Sequence, residues 1–104
     1  MNWNTKENKD LVQAILALDT SDEAERFLRD LLTEGEIEEF AKRLKAARML
    51  SAGSTYAVVE KATGFSSTTV ARVSKWLNNG KGGYKTILGK IHHDIHIQTG
   101  RGLA

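Results

Sequence analysis

Apolar side chains recur along this chain at three- and four-residue intervals, the spacing of one face of a helix. Between residues 6 and 18, Leu11, Val12, Ile15 and Leu16 fall on one stripe, which Asp19-Thr20-Ser21-Asp22 interrupts. Thr20 with Glu23 has the form of a capping box, and the stripe resumes through Ala24, Phe27, Leu28, Leu31 and Leu32. Thr33 with Glu36 repeats that box and starts a helix through Ile37, Phe40, Ala41 and Leu44 to Leu50. Its acids come early and its bases late, which complements the helix dipole. Ser51-Ala52-Gly53-Ser54 ends it, and Ser54 or Thr55 caps a short helix with Val58, Val59 and Ala62. Tyr84, Ile87, Leu88 and Ile91 form the last stripe. Six helical segments without a convincing strand predict an all-α fold, with residues 1–91 as one domain and 92–104 as a loosely ordered tail.

Two of these segments suit a helix-turn-helix. The first covers about 55–63, Gly64-Phe65-Ser66 turns the chain, and the second covers about 67–77. Gly64 suits the left-handed residue that closes a helix, and Ser66 is a good N-cap, with Phe65 and Val70 as a hydrophobic staple. At 100° per residue, Val70, Val73 and Leu77 share one side of the second helix, while Thr68, Arg72 and Lys75 lie opposite. A recognition helix needs that division, one side packed and the other presenting donors to a major groove. Ser67, Thr68 and Thr69 stand at its start, where hydroxyls and backbone N–H groups reach bases or phosphates. The same spacing also fits a structural hairpin with an ordinary solvated face. Glu60 departs from the small residue expected four places before the turn glycine.

Charge tilts the balance. The net +2 hides an uneven distribution: residues 1–40 carry 4 basic and 11 acidic side chains, and residues 41–104 carry 11 basic and 2 acidic. The hairpin lies in the basic part, as a polyanion-binding surface requires. With no cysteine, a disulfide framework, a thiolate metal site and a cysteine nucleophile are excluded. No phosphate-binding glycine loop follows a strand and no nucleophile elbow occurs, so the chain does not read as an enzyme. The polar start without a secretory apolar core, and the lack of a run of about 20 apolar residues, predict a cytoplasmic protein without a membrane segment. His92, His93 and His96 cluster near the end; they suit a fraying helix terminus better than a metal site, because a third ligand is not evident.

Leu31-Leu32-Thr33, Glu36, Arg43-Leu44 and Gly64 followed by Ser67-Thr68-Thr69-Val70-Ala71-Arg72 resemble the bacterial Trp repressor. Arg26-Phe27, Lys42-Arg43-Leu44, Ala47-Arg48-Met49-Leu50, Thr55-Tyr56 and Leu77-Asn78-Asn79-Gly80 with Tyr84 are similar to its short TrpR-related branch, the YerC/YecD type. The resemblance covers roughly residues 10–92. It implies a six-helix, intertwined homodimer acting as a DNA-binding transcriptional regulator, a repressor associated with the nucleoid. Leu11, Ile15, Phe27, Leu31, Phe40 and Leu44 would build the shared core. Two recognition helices would enter double-stranded DNA about one helical turn apart, favouring a palindromic site. By this resemblance Ser67, Thr68 and Thr69 meet bases and nearby phosphates, and Arg72, Lys75 and Tyr56, with Thr55 beside it, meet the backbone.

The same resemblance places Arg43 and Arg72 where the repressor clasps L-tryptophan, with Thr33 lining the pocket. Val73 replaces a glycine there and Trp76 a ligand-contacting serine, which adds bulk and removes a hydroxyl. A pocket filled by the protein's own side chains is therefore expected, with Trp76 stacked on Arg72 or packed against neighbouring helices, and no cofactor. Two other readings fit the composition: a protein-interaction module whose acidic part docks a basic partner, and an RNA-binding factor using the basic surface.

Overall fold

The computed structural model describes residues 1–91, which contain six helices and, among those residues, no strand. The calls on residues 92–104, including His92, His93 and His96, lie outside the described part. The chain divides into two compact units, Met1–Glu38 and Glu39–Ala104.

In the first unit, α1 spans Lys6–Leu16 and α2 spans Ser21–Leu31. The Thr5 hydroxyl caps α1 by accepting from the Asn8 N–H at 3.2 Å. α1 ends two residues before the predicted end, because the Ala17 and Leu18 N–H groups turn back to Ala14 and Ile15 carbonyls at 3.2 Å in a tightened last turn. Thr20 caps α2 through the Glu23 N–H, as expected, but the Glu23 carboxylate reaches the Asp19 N–H rather than that of Thr20 itself. Arg29 closes the other end, donating to the Leu32 carbonyl at 3.1 Å and pairing with Glu34 at 3.5 Å. Neither α1 nor α2 contains a buried residue: Ile15 is 53% exposed and Leu31 50%.

α3 spans Glu34–Ser51, its first turn in the first unit and its remainder in the second. Here the capping box is complete. The Glu36 N–H donates to the Thr33 hydroxyl at 3.1 Å and the Thr33 N–H to the Glu36 carboxylate at 3.0 Å. Those bonds, the backbone one first, hold the Glu36 carboxyl below the usual carboxylate range.

The second unit has a core. Ala46 and Ala47 of α3, Val59 of α4 (Tyr56–Thr63), Val70, Val73 and Leu77 of α5 (Ser67–Asn79) and Leu88 of α6 (83–91) are buried together. Leu44, Met49, Leu50, Phe65 and Tyr84 pack around them. Ala46 and Ala47 are fully buried, so that side of α3 faces the core with its smallest side chains. α5 is two residues longer than its pattern predicts. The Asn78 amide, which reads as a breaker, instead donates back to the Ser74 carbonyl at 3.0 Å, within the last turn of the helix.

Candidate nucleic-acid interface

The helix-turn-helix forms where the sequence places it. Thr55 caps α4, its hydroxyl accepting from the Val58 N–H at 3.3 Å. Gly64 closes α4 with φ +76°, a conformation a side chain resists, and its N–H donates to the Glu60 carbonyl at 2.8 Å. Ser66 then caps α5 by accepting from the Thr69 N–H at 3.2 Å. Phe65, partly buried against the core, and fully buried Val70 flank that cap as the staple requires. Glu60 needs no small side chain, since Val59 and Thr63 are the buried positions of α4.

One residue of the turn carries no signal in the pattern. The Thr63 hydroxyl, almost fully buried, donates to the Val59 carbonyl at 2.7 Å and accepts from the Phe65 N–H at 3.2 Å. It ties the last turn of α4 to the first residues of the turn. A hydroxyl just before a closing glycine, four residues after a carbonyl it can reach, is the feature that would have flagged it. Lys45 of α3 adds a second tie, its ammonium 3.4 Å from the Ala62 carbonyl at the negative end of α4.

On α5 the buried side is Val70, Val73 and Leu77, and the opposite side carries Thr68, Arg72, Lys75 and Asn79, all exposed. Ser67 and Thr68 stand free at the helix start. Thr69 is half-buried, and its hydroxyl lies 3.1 Å from that of Ser66, so it is partly committed to the cap. Tyr56 opens α4 and is exposed. It lines a cleft of about 400 Å³ with Ser54, Ser74, Asn78 and Lys85. From residue 61 to 91 the chain carries six basic side chains and no acid. Nothing on this stretch opposes the approach of a polyanion.

The residues expected around a small-molecule pocket each have contacts of their own. Thr33 is the cap of α3, in the first unit. In the second unit Arg43 stays with its own helix, its guanidinium 5.3 Å from the Phe40 ring centre and its Nε 3.6 Å from the Glu39 carboxylate. Among the described residues that is the cation–π contact; the stacking of Trp76 on Arg72 is not formed. Trp76 is 55% exposed, so it does not pack deeply against neighbouring helices either. The edge of its ring instead lies against Gly80, where an added Cβ would sit 3.2 Å from the Trp76 Cε3 and collide with the Trp76 carbonyl oxygen. The backbone clash is the more severe, so it is first the Trp76 carbonyl that calls for a residue without a side chain at 80.

The comparison with known sequences bears directly on this hairpin, because a profile of the Trp repressor protein family matches residues 6–92. The chain belongs to the Trp repressor family. It is 42% identical over 86 residues to the uncharacterized protein YerC of Bacillus subtilis, covering 83% of each chain. Among solved structures, a TrpR-like protein from Eubacterium eligens superposes with a TM-score of 0.82 at 36% identity, covering 86% of this chain and 93% of that one. A candidate Trp repressor from Staphylococcus aureus gives 0.81 at 34% identity, covering 88% and 95%. Membership in this family of regulators implies a DNA-binding protein rather than an enzyme. Among the described residues no helix is long and apolar enough to cross a membrane.

Proposed function

We propose that the chain is a sequence-specific, DNA-binding transcriptional repressor that acts as a homodimer in the cytoplasm, at the nucleoid. The observation that carries the reading is the exposed side of α5, which presents hydroxyls at its start and cations behind them on an acid-free stretch. Ser67 and Thr68 read base edges, with Thr69 shared between DNA and the cap. Arg72 and Lys75 hold phosphates from α5, and Thr55 and Tyr56 present the start of α4 to the backbone. The homodimer is supported by the apolar stripe of α1 and α2, which no residue of its own unit buries. In this reading Thr33, Arg43, Arg72 and Trp76 no longer form a tryptophan clasp, and DNA binding does not depend on L-tryptophan. Support comes from the engagement of Arg43 with Glu39 and Phe40 and from the bulk of Val73 and Trp76.

Selection of bound sequences from random DNA, followed by titration at several salt concentrations, tests this reading. Arg72→Ala weakens binding on all sequences and lowers the salt slope by about one phosphate, roughly 0.9 units of log K per log salt. Thr68→Ala changes preference among sequences instead. If neither variant alters DNA retention, α5 is not the recognition helix. Tight stoichiometric L-tryptophan binding by calorimetry would refute the ligand-independent part.

A further inference from the structure

We propose that Trp76 is itself a DNA-contacting residue, laying its indole on a deoxyribose and donating its Nε1–H to a phosphate at the wall of the groove that α5 enters. The inference rests on the DNA-binding reading above and adds to it a contact of different chemistry, aromatic and uncharged.

Four observations support it. Trp76 follows Arg72 by one helical turn, about 40° around the axis, so it borders the side that carries Thr68, Arg72 and Lys75. It is 55% exposed, an unusual position for so large an apolar side chain on a helix whose other large apolar residues are buried. In the structure its Cε3 edge faces Gly80, which leaves Nε1 on the opposite edge. The hydrogen bonds that α5 side chains make, Ser66 with Thr69 and Asn78 with Ser74, do not involve that N–H. An indole N–H is a donor only, and a phosphate oxygen is an acceptor only, so the two are matched.

Position along the helix decides which part of DNA it meets. Trp76 lies nine residues beyond Ser67, about 13 Å along the axis from the end that enters the groove. At that distance the helix is passing the sugar–phosphate wall, not the base edges. Charge decides the occupant. Residues 61–91 hold six cations and no acid, so a copy of this same surface would repel it while a polyanion is drawn to it.

The chain has two tryptophans, so Trp3→Phe leaves Trp76 as the single indole reporter. The probe is a labelled duplex selected from random sequence by the parent protein, with anisotropy reporting binding and Trp76 emission read in parallel. The expected result is an emission change that saturates at the anisotropy midpoint, with acrylamide quenching of Trp76 reduced in the complex. Trp76→Ala lowers affinity about tenfold without changing the salt slope, and Trp76→Phe, which keeps a ring but loses the N–H, falls between. A slope unchanged in Trp76→Ala but lowered in Arg72→Ala separates the neutral contact from loss of a cation. If the duplex binds but emission and quenching do not change, or Trp76→Phe and Trp76→Ala bind like the parent, the inference fails and the DNA reading stands. Emission already shifted before DNA is added, and dependent on protein concentration, means that a second copy covers Trp76 and also overturns it. If no duplex is bound, the DNA reading falls and the inference falls with it.

Discussion

The two units of this chain solve the same folding problem with different means. In Met1–Glu38 the helices are specified by their ends: Thr5, Thr20 and the Thr33–Glu36 pair start them, and Arg29 closes one, yet no α1 or α2 side chain is buried. In the second unit seven residues share a core, and the helix-turn-helix is assembled on it. Local signals are enough to say where helices lie, but only the second unit supplies within itself the burial that fixes them. The first carries most of the acids and an unused apolar stripe, the second most of the bases and the hydroxyl-tipped helix.

The largest expected effect breaks the second unit. Val70→Asp places an unpaired carboxylate where the parent side chain has no exposure, costing about 4 kcal/mol or more. Chemical denaturation followed by Tyr and Trp fluorescence shows this as loss of the folded baseline. In the first unit Leu31→Asp, at a half-exposed site, is mild for a lone chain but removes a central contact of the proposed homodimer. Sedimentation equilibrium then shows the variant as monomer where the parent is dimer. Equal mass for both would detach the apolar stripe from self-association.

A smaller effect is expected at the turn. Thr63→Val keeps the shape but leaves the Phe65 N–H without its acceptor, which lowers stability by about 1–3 kcal/mol. Hydrogen exchange at Phe65 and Ser66 should quicken more than exchange in α3. The smallest effect tests the first unit's dependence on its ends. Glu36 has a lowered pKa in the folded chain, so its contribution is fully present above the ordinary glutamate value and is lost as pH falls through the lowered one. Helicity melts compared near neutral pH and near pH 3 should show a larger drop for the parent than for Glu36→Gln. An equal drop in both would mean that the box does not hold the α3 start.

Much of this was legible in the residues. Thr20, Thr33 with Glu36, Thr55 and Ser66 cap helices as their types and spacing predict, and Val70, Val73 and Leu77 turn to the core. What pattern reading missed are bonds made by side chains that it treats as filler or as punctuation. Asn78 bonds back onto the last turn of a helix it was expected to end, Thr63 ties a turn it merely precedes, and Glu23 reaches one residue further back than the usual box. At the candidate site the exposed side of α5 was legible, but not the contacts its side chains make. Nothing in the sequence shows that Thr69 shares its hydroxyl with Ser66, or that the Trp76 ring faces Gly80 rather than stacking on Arg72. Those outcomes depend on rotamers, which helical periodicity does not encode.

The acid-free run from 61 to 91 also limits how the protein can respond to its surroundings. That run contains neither a carboxyl nor an imidazole, the side chains whose ordinary titration lies at or below neutral pH. Acidification therefore has nothing in it to protonate, and the charge it offers a ligand is the same in mildly acidic and neutral solution. Chemistry that neutralises lysine would act on it directly: each of Lys61, Lys75, Lys81, Lys85 and Lys90 that is acylated removes one unit of charge that no neighbouring group on the run can restore.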